Sequence, residues 1–197
     1  MEAPVALWVS FEGLSGGGKT TAINSVVKRL TSAKYSIKVL SSDSGEEATA
    51  LHRIAKQFPL GDTKRLLLFW TLRLLQYEAV FATDPEIDII ITDRFWGSTL
   101  AIDEFGNGVP HEVLSWVGSG IRYFPDITLL FQVPVAIARA RKPGGAPTLA
   151  SDEFAERVCR GYQQLALEHD WIEVNGGFPP EVVARSCEVI ILNRLRN

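Results

Sequence analysis

Short, nearly continuous apolar runs alternate with amphipathic stretches along this chain, the pattern of a parallel sheet covered by helices. Pro4 to Phe11 reads as a first buried strand, and Lys19 to Ala33 as a helix with Ala22, Ile23, Val26, Val27 and Leu30 on one face. Ser36 to Leu40 is a second strand, followed by helix over Glu46 to Phe58. Asp62 is placed to cap a long helix running to about Thr83. That helix carries Leu66-Leu67-Leu68-Phe69-Trp70, so it is expected to be buried on more than one side, by the sheet and by a partner subunit. A third strand, Ile87 to Thr92, ends at Asp93, and short helices over Gly97–Phe105 and Pro110–Ser119 flank the turn Gly106-Asn107-Gly108. Asp126 to Phe131 is a fourth strand, with Pro134 at a helix start, where its missing N–H costs nothing. Lys142 to Pro147 reads as irregular loop, Asp152 to Glu168 as helix, Trp171 to Val174 as a short fifth strand and Pro180 to Leu195 as the closing helix.

Composition sharpens the picture in only a few places. The 197 residues fit one domain, 1–197, with no repeat or linker, and are enough to bury a self-sufficient core. A net charge of −3 provides no general field for nucleic acid, so anion binding must come from local groups and no nucleic-acid partner is expected. Cys159 and Cys187 have no metal or CxxC spacing and read as small buried apolar residues. The apolar run Val5–Val9 is short, lacks a basic leader and leads directly into a glycine-rich loop, so no targeting segment is expected. No stretch of about 18 apolar residues is present; the expectation is a cytoplasmic protein with no membrane partner.

The chemistry begins at Gly13-Leu14-Ser15-Gly16-Gly17-Gly18-Lys19-Thr20, a complete G-x-x-x-x-G-K-[ST] motif that follows a buried strand and opens a helix. Glycines allow consecutive backbone N–H groups to turn toward phosphate oxygens, and the helix N-terminus adds partial positive charge. Lys19 is expected to reach the β- and γ-phosphates of ATP, and Thr20 to coordinate Mg²⁺. Asp93 closes an apolar strand, where ligands of open α/β sheets bind, and is assigned to the metal directly or through water. Arg94 follows it and can clamp a phosphate with two parallel hydrogen bonds. The expected architecture is therefore a three-layer α/β P-loop NTPase fold, a five-stranded parallel sheet flanked by helices, with a short lid at about 141–151.

Over nearly its whole length the chain resembles the thymidylate kinase family. The resemblance rests on Phe11-Glu12-Gly13 leading into the loop, Thr20-Thr21, and Asp93-Arg94-Phe95 followed by Ser98 and Thr99. It also rests on Phe69-x-x-x-Arg73, on Pro125 to Leu130 with Val133-Pro134-Val135, on Phe154 to Tyr162 and on Ile172 to Val183. The resemblance implies transfer of a phosphoryl group from Mg-ATP to a nucleoside monophosphate, with dTMP giving dTDP, by a homodimer. It implies that Gly13, Ser15, Gly16, Gly17, Gly18, Lys19, Thr20, Thr21 and Arg139 contact the donor nucleotide. Phe69 would stack on the acceptor base, Arg73 would donate to the base edge, and Arg94 would hold the acceptor phosphate. Glu12, Arg53, Ser98, Thr99 and Ile102 would complete the acceptor site, and Arg141 would help neutralise the transferring group.

Departures from the family fall in the parts that choose substrate and drive transfer. Ser15 stands where an acidic residue is usual, and Ser41-Ser42-Asp43-Ser44-Gly45-Glu46 replaces a stretch carrying a phosphate-binding arginine. Ile102 replaces an aromatic residue at the sugar, Leu100 replaces a polar one near the base, and Gly145 to Thr148 replace the usual lid motif. The alternatives are a kinase of another deoxynucleotide or a nucleoside, or a catalytically weak nucleotide-binding regulatory protein. An intact Gly18, Lys19, Thr20 and Asp93 set argues against the last.

Overall fold

The computed structural model describes residues 6–196. Among these, β1 (Leu7–Gly13), β2 (Ile37–Leu40), β3 (Ile89–Asp93), β4 (Ile127–Gln132) and β5 (Ile172–Asn175) form one sheet in the order β2-β3-β1-β4-β5, every pairing parallel. Pro4 and Val5, the expected start of the first strand, lie outside the described residues. The helices are α1 (Lys19–Ser32), α2 (Glu46–Ala55), α3 (Thr63–Phe81), α4 (Trp96–Thr99), α5 (His111–Val117), α6 (Val135–Ala140), α7 (Asp152–Glu168) and α8 (Pro180–Leu195).

Strand alternation sorts the core. Val9 and Phe11 of β1, Ile89 and Ile91 of β3, and Leu129 and Phe131 of β4 pack on one face against Ala22, Ile23, Val26 and Leu30 of α1 and Val183, Ala184, Cys187 and Ile191 of α8. On the other face, Trp8 and Ile90 meet Tyr77 and Val80 of α3, while Leu130 meets Phe154, Val158 and Tyr162 of α7. Ser10 and Glu12 point to this second face by the same alternation. The helices are continuous with their caps: Asp62 accepts from the Lys64 N–H (2.8 Å) ahead of α3, and Ser151 from the Phe154 N–H (3.1 Å) ahead of α7.

Two segments differ from the expectation. The helix expected over Gly97–Phe105 is a short α-turn followed by a π-helix, Leu100–Gly106. Its extra residue per turn sets Asp103 inward, where it accepts from the Trp70 indole N–H (2.7 Å) and the Asn107 amide (3.1 Å). The loop expected from Lys142 to Pro147 ends in a 3₁₀ turn, Pro147–Leu149, folded back toward β1. Both cysteines are free, Cys187 fully buried and Cys159 partly so. No helix among the described residues is long and apolar enough to cross a membrane.

Candidate active site

The parallel register sets the site. Phe11 of β1 pairs with Asp93 of β3, so the loop after β1 and the carboxylate ending β3 emerge side by side at the carboxyl edge of the sheet. Gly13 and Gly16 have positive φ (128° and 82°); a Cβ on the first would run into the Phe131 carbonyl oxygen and on the second into that of Ala138. Gly18 precedes α1 without any side-chain cap, which leaves the first-turn amides available to an anion. Lys19 is buried, and its ammonium donates to the carbonyls of Gly13 (3.0 Å) and Leu14 (2.7 Å). Burial, reinforced by the Arg94 guanidinium, holds its pKa well below the usual lysine range. The Thr20 hydroxyl donates to Asp93 Oδ2 at 3.1 Å, bringing two hard oxygen ligands together. Among the described residues no group of three or more His, Cys, Asp or Glu could hold a metal alone. A divalent ion here would therefore share its ligands between Thr20, Asp93 and the nucleotide, and the oxygen-only donor set fits Mg²⁺.

Arg94 takes a left-handed backbone (φ 69°), which costs a non-glycine residue ~1–2 kcal/mol and marks a position held by its surroundings. The holding group is Glu12. Its buried carboxylate accepts from the Phe95 N–H (2.7 Å) and from the hydroxyls of Ser98 (2.5 Å) and Ser10 (3.2 Å). Burial outweighs those bonds and raises the Glu12 pKa. The Arg94 guanidinium donates to Gly13 O (2.5 Å), Ser98 Oγ (3.2 Å), the Tyr162 hydroxyl (3.1 Å) and Ser15 Oγ (3.4 Å). Burial works against its charge, but Tyr162, Asp93 and Glu12 more than offset this, and its pKa lies above the ordinary arginine value.

Beside the loop, a cavity of about 250 Å³ lies between α3, the loop after β2 and the segment 98–103. Phe69, Arg73, Arg94, Ser98, Thr99 and Ile102 all line it, so these sequence-expected acceptor residues are brought together. Arg73 is buried; its Nη1 donates to Gln76 Oε1 (3.0 Å) and to the Arg94 carbonyl (3.3 Å). Its Nε has no partner, the one buried side-chain nitrogen or oxygen so left among the described residues. An unsatisfied buried donor costs ~1–3 kcal/mol. Phe69 is flanked by the Arg65 guanidinium 5.0 Å over its ring and by His52, edge-on at 5.6 Å. Arg53 is exposed and does not line the cavity; the neighbouring His52, paired with Asp43 at 2.5 Å, does.

On the other side of the loop, Arg141 donates to the carbonyl of Gly176 (2.8 Å) and approaches that of Gly16 (3.4 Å). With Gly17, Gly18, Thr21, Phe178 and Pro180 it lines a smaller cavity of about 140 Å³. Arg139 is turned away from it, donating to Leu149 O (2.8 Å) and Asp152 (2.6 Å), and so anchors the 3₁₀ turn. Thr148 in that turn accepts from the Ser15 N–H at 3.2 Å. Thr148, Tyr162, Asp103 and His52 were not singled out from sequence. Thr148 and Tyr162 reach the site from distant elements and entered the sequence reading only as ends of segments, whereas Asp103 and His52 sit beside the expected Ile102 and Arg53 on the same elements.

A buried parallel strand, a glycine loop, a Lys-Thr helix start and an aspartate ending the adjacent strand define a P-loop nucleotide-binding protein. A family model described as thymidylate kinase matches residues 11–187, and the chain belongs to the thymidylate kinase family. It is 31% identical to a thymidylate kinase of Thermomicrobium roseum over 193 positions, covering 90% of each chain. It is likewise 31% identical to one from Desulfovibrio desulfuricans over 211 positions, covering 96% of this chain and 97% of the relative. A thymidylate kinase of Geobacter sulfurreducens is 27% identical, with 95% and 97% covered.

Proposed function

We propose that this protein transfers the γ-phosphoryl group of Mg-ATP to dTMP, giving dTDP and ADP. The observation that carries the reading is the adjacency of the phosphate loop to a cavity lined by Phe69 and by the buried guanidinium of Arg73. Thymine presents a carbonyl oxygen at its 4-position that can accept from the Arg73 guanidinium, whereas cytosine carries an amino group there and offers it no acceptor. A site built around a buried donor rejects the ligand that cannot satisfy it. Phe69 offers a stacking surface to the base, worth ~1–3 kcal/mol and indifferent to its identity. Family membership of the curated relatives supports the same acceptor.

The acceptor phosphate is already anionic, so no residue need remove a proton from it. Its oxygen forms the new bond to the γ-phosphorus as the bond to the bridging oxygen of ADP breaks. The chain's contribution is alignment and neutralisation of spread negative charge by Lys19, Arg94 and Arg141. Gly13, Ser15, Gly16, Gly17, Gly18, Lys19, Thr20 and Thr21 hold the donor; Arg139 serves it indirectly by anchoring the turn that carries Thr148. Thr20 and Asp93 would hold Mg²⁺, which when bound would screen the phosphate charge of the donor. Phe69, Arg73, Arg94, Ser98, Thr99 and Ile102 hold the acceptor, and Glu12, which does not line this cavity, serves it through its bonds to the Phe95 N–H and the Ser98 hydroxyl. Arg53, exposed on α2, holds the acceptor only if that helix shifts. Residues 1–197 act as one domain with a lid at about 141–151, in the cytoplasm.

The enzyme is read as a homodimer, on family membership and on Leu67 of α3 and Trp116 of α5, which are 51% and 78% exposed. A monomeric mass at micromolar concentration would overturn that part. The activity is tested by following ADP release from Mg-ATP with dTMP, dUMP, dCMP, UMP and thymidine. The reading expects dTMP to be turned over well above dCMP and thymidine. Preference for thymidine, or for dCMP, would overturn it.

A further inference from the structure

A second cavity, of about 350 Å³, is larger than the acceptor pocket and lies behind it. It runs from the starts of β4 and β5, at Asp126–Thr128 and Asp170–Ile172, along the face of β1 to Ser10 and Glu12. Its walls are Trp96 and Trp171, its mouth carries Phe124, His169, Asp126 and Asp170, and among the described residues neither lysine nor arginine lines it. Trp171 packs so closely on α4 that a Cβ added at Gly97 would stand 2.5 Å from its ring and 3.2 Å from Glu12 Oε1. The indole therefore forms a wall continuous with the glutamate.

From this geometry we propose that the cavity is an effector site for a small, flat, cationic aromatic molecule, an aryl amidine or protonated amino-heterocycle. The volume admits one or two fused rings. Flat aromatic walls favour a planar occupant, and a cation gains from an indole face. The carboxylates of Asp126 and Asp170 supply hydrogen-bond acceptors at the mouth and disfavour phosphates and other anions; Asp126 also accepts from the Trp8 N–H (2.8 Å), and Glu12 at the inner end feels Arg73 and Arg94 as well. This chemistry is the reverse of the acceptor and donor sites, which are built from Lys19, Arg73, Arg94 and Arg141. The occupant's inner end meets Glu12, whose bonds to the Phe95 N–H and the Ser98 hydroxyl aim Arg94. Occupancy thus changes how the acceptor phosphate is held, a coupling that rests on the proposed kinase activity, whereas the binding itself does not.

Benzamidine, benzamide and benzoate have nearly one shape and three charges, and saturation-transfer NMR reads their binding directly. The proposal expects benzamidine to bind with Mg-ADP and dTMP already saturating, benzamide more weakly, and benzoate not at all. Ile172→Trp, at the mouth and outside the phosphate machinery, should weaken benzamidine about tenfold or more, and Asp170→Asn by a smaller factor. Both variants keep the fold because each position is exposed, which an unchanged melting temperature verifies. At saturating benzamidine the KM for the acceptor should shift about twofold or more, whereas an inhibitor of the active site would be displaced by acceptor. Displacement by nucleotide, equal binding of benzoate, indifference to Ile172→Trp, or failure of benzamidine to bind overturns the site. Binding with an unchanged acceptor KM in an active enzyme overturns its effector role.

Discussion

Replacing Lys19 by Met tests the phosphate loop while sparing its shape. The ammonium gives two charged hydrogen bonds to loop carbonyls, each worth ~1.5–3 kcal/mol. Against these stands the desolvation of a buried cation, several kcal/mol. The two nearly cancel, so the nucleotide-free variant should melt within ~4 °C of the parent. Ligand then separates them. At a hundredfold excess over Kd, Mg-ATP stabilises the parent by ~2.7 kcal/mol, which for a chain of this size is a shift of ~5–11 °C. If the variant binds a hundredfold more weakly, the same concentration gives only ~0.4 kcal/mol, or ~1–2 °C. Turnover should fall by ~10³ or more, since the lysine faces the charge that develops in transfer. The lowered Lys19 pKa adds a pH signature. The unfolded chain keeps its proton up to the ordinary value of 10.5 while the folded protein gives it up earlier, so folding gains with rising pH across that window. The parent's stability relative to the Met variant should therefore rise toward alkaline pH. Differential scanning fluorimetry across pH, with and without nucleotide, checks each point. A variant that responds to Mg-ATP as the parent does, or turns over within ~tenfold of it, would refute the reasoning.

Gly16→Ala should remove nucleotide-induced stabilisation and cost ~1–3 kcal/mol of stability, because its Cβ would strike the Ala138 carbonyl at a positive φ; urea titration with and without Mg-ATP reads both. Arg73→Lys loses the guanidinium and should lower the dTMP-to-dCMP ratio of kcat/KM by ~10–100-fold; an unchanged ratio would place base selection elsewhere. Asp103 has its carboxyl pushed up from 3.8 to about 6 by burial, with the Trp70 and Asn107 bonds pulling the other way. Its protonated form is favoured in the fold, so this stability is fully present below pH 3.8 and is lost as pH rises through about 6. The loss is at most ~3 kcal/mol. Asp103→Asn should flatten that slope between pH 4 and 7, and an identical slope in both proteins would show that Asp103 is not its source.

The central strands were legible because they are buried on both faces, and continuous runs such as Ile89-Ile90-Ile91 admit little else. The phosphate loop was legible because the motif is contiguous and its glycines are needed for shape. The π-helix was not, since Leu100–Gly106 has ordinary helical composition and its inward Asp103 is fixed by Trp70, 33 residues away. The acceptor site was half legible. Phe69 and Arg73 share one helix face, but Tyr162 and Thr148 enter from α7 and the 3₁₀ turn, and no local period announces such contacts. Arg53 and His52 show the limit most clearly: one residue's rotation on α2 decides which side chain lines the cavity, and sequence alone favoured the arginine.

The most direct measurement follows both phosphorus-containing products by ³¹P NMR when the protein is incubated with Mg-ATP and dTMP. The account predicts dTDP and ADP appearing in equal amounts, with no inorganic phosphate above background and no dTDP from the Lys19→Met variant. ADP accompanied by inorganic phosphate instead of dTDP would show that the loop binds and hydrolyses ATP without serving the cavity beside it, and would contradict the central claim.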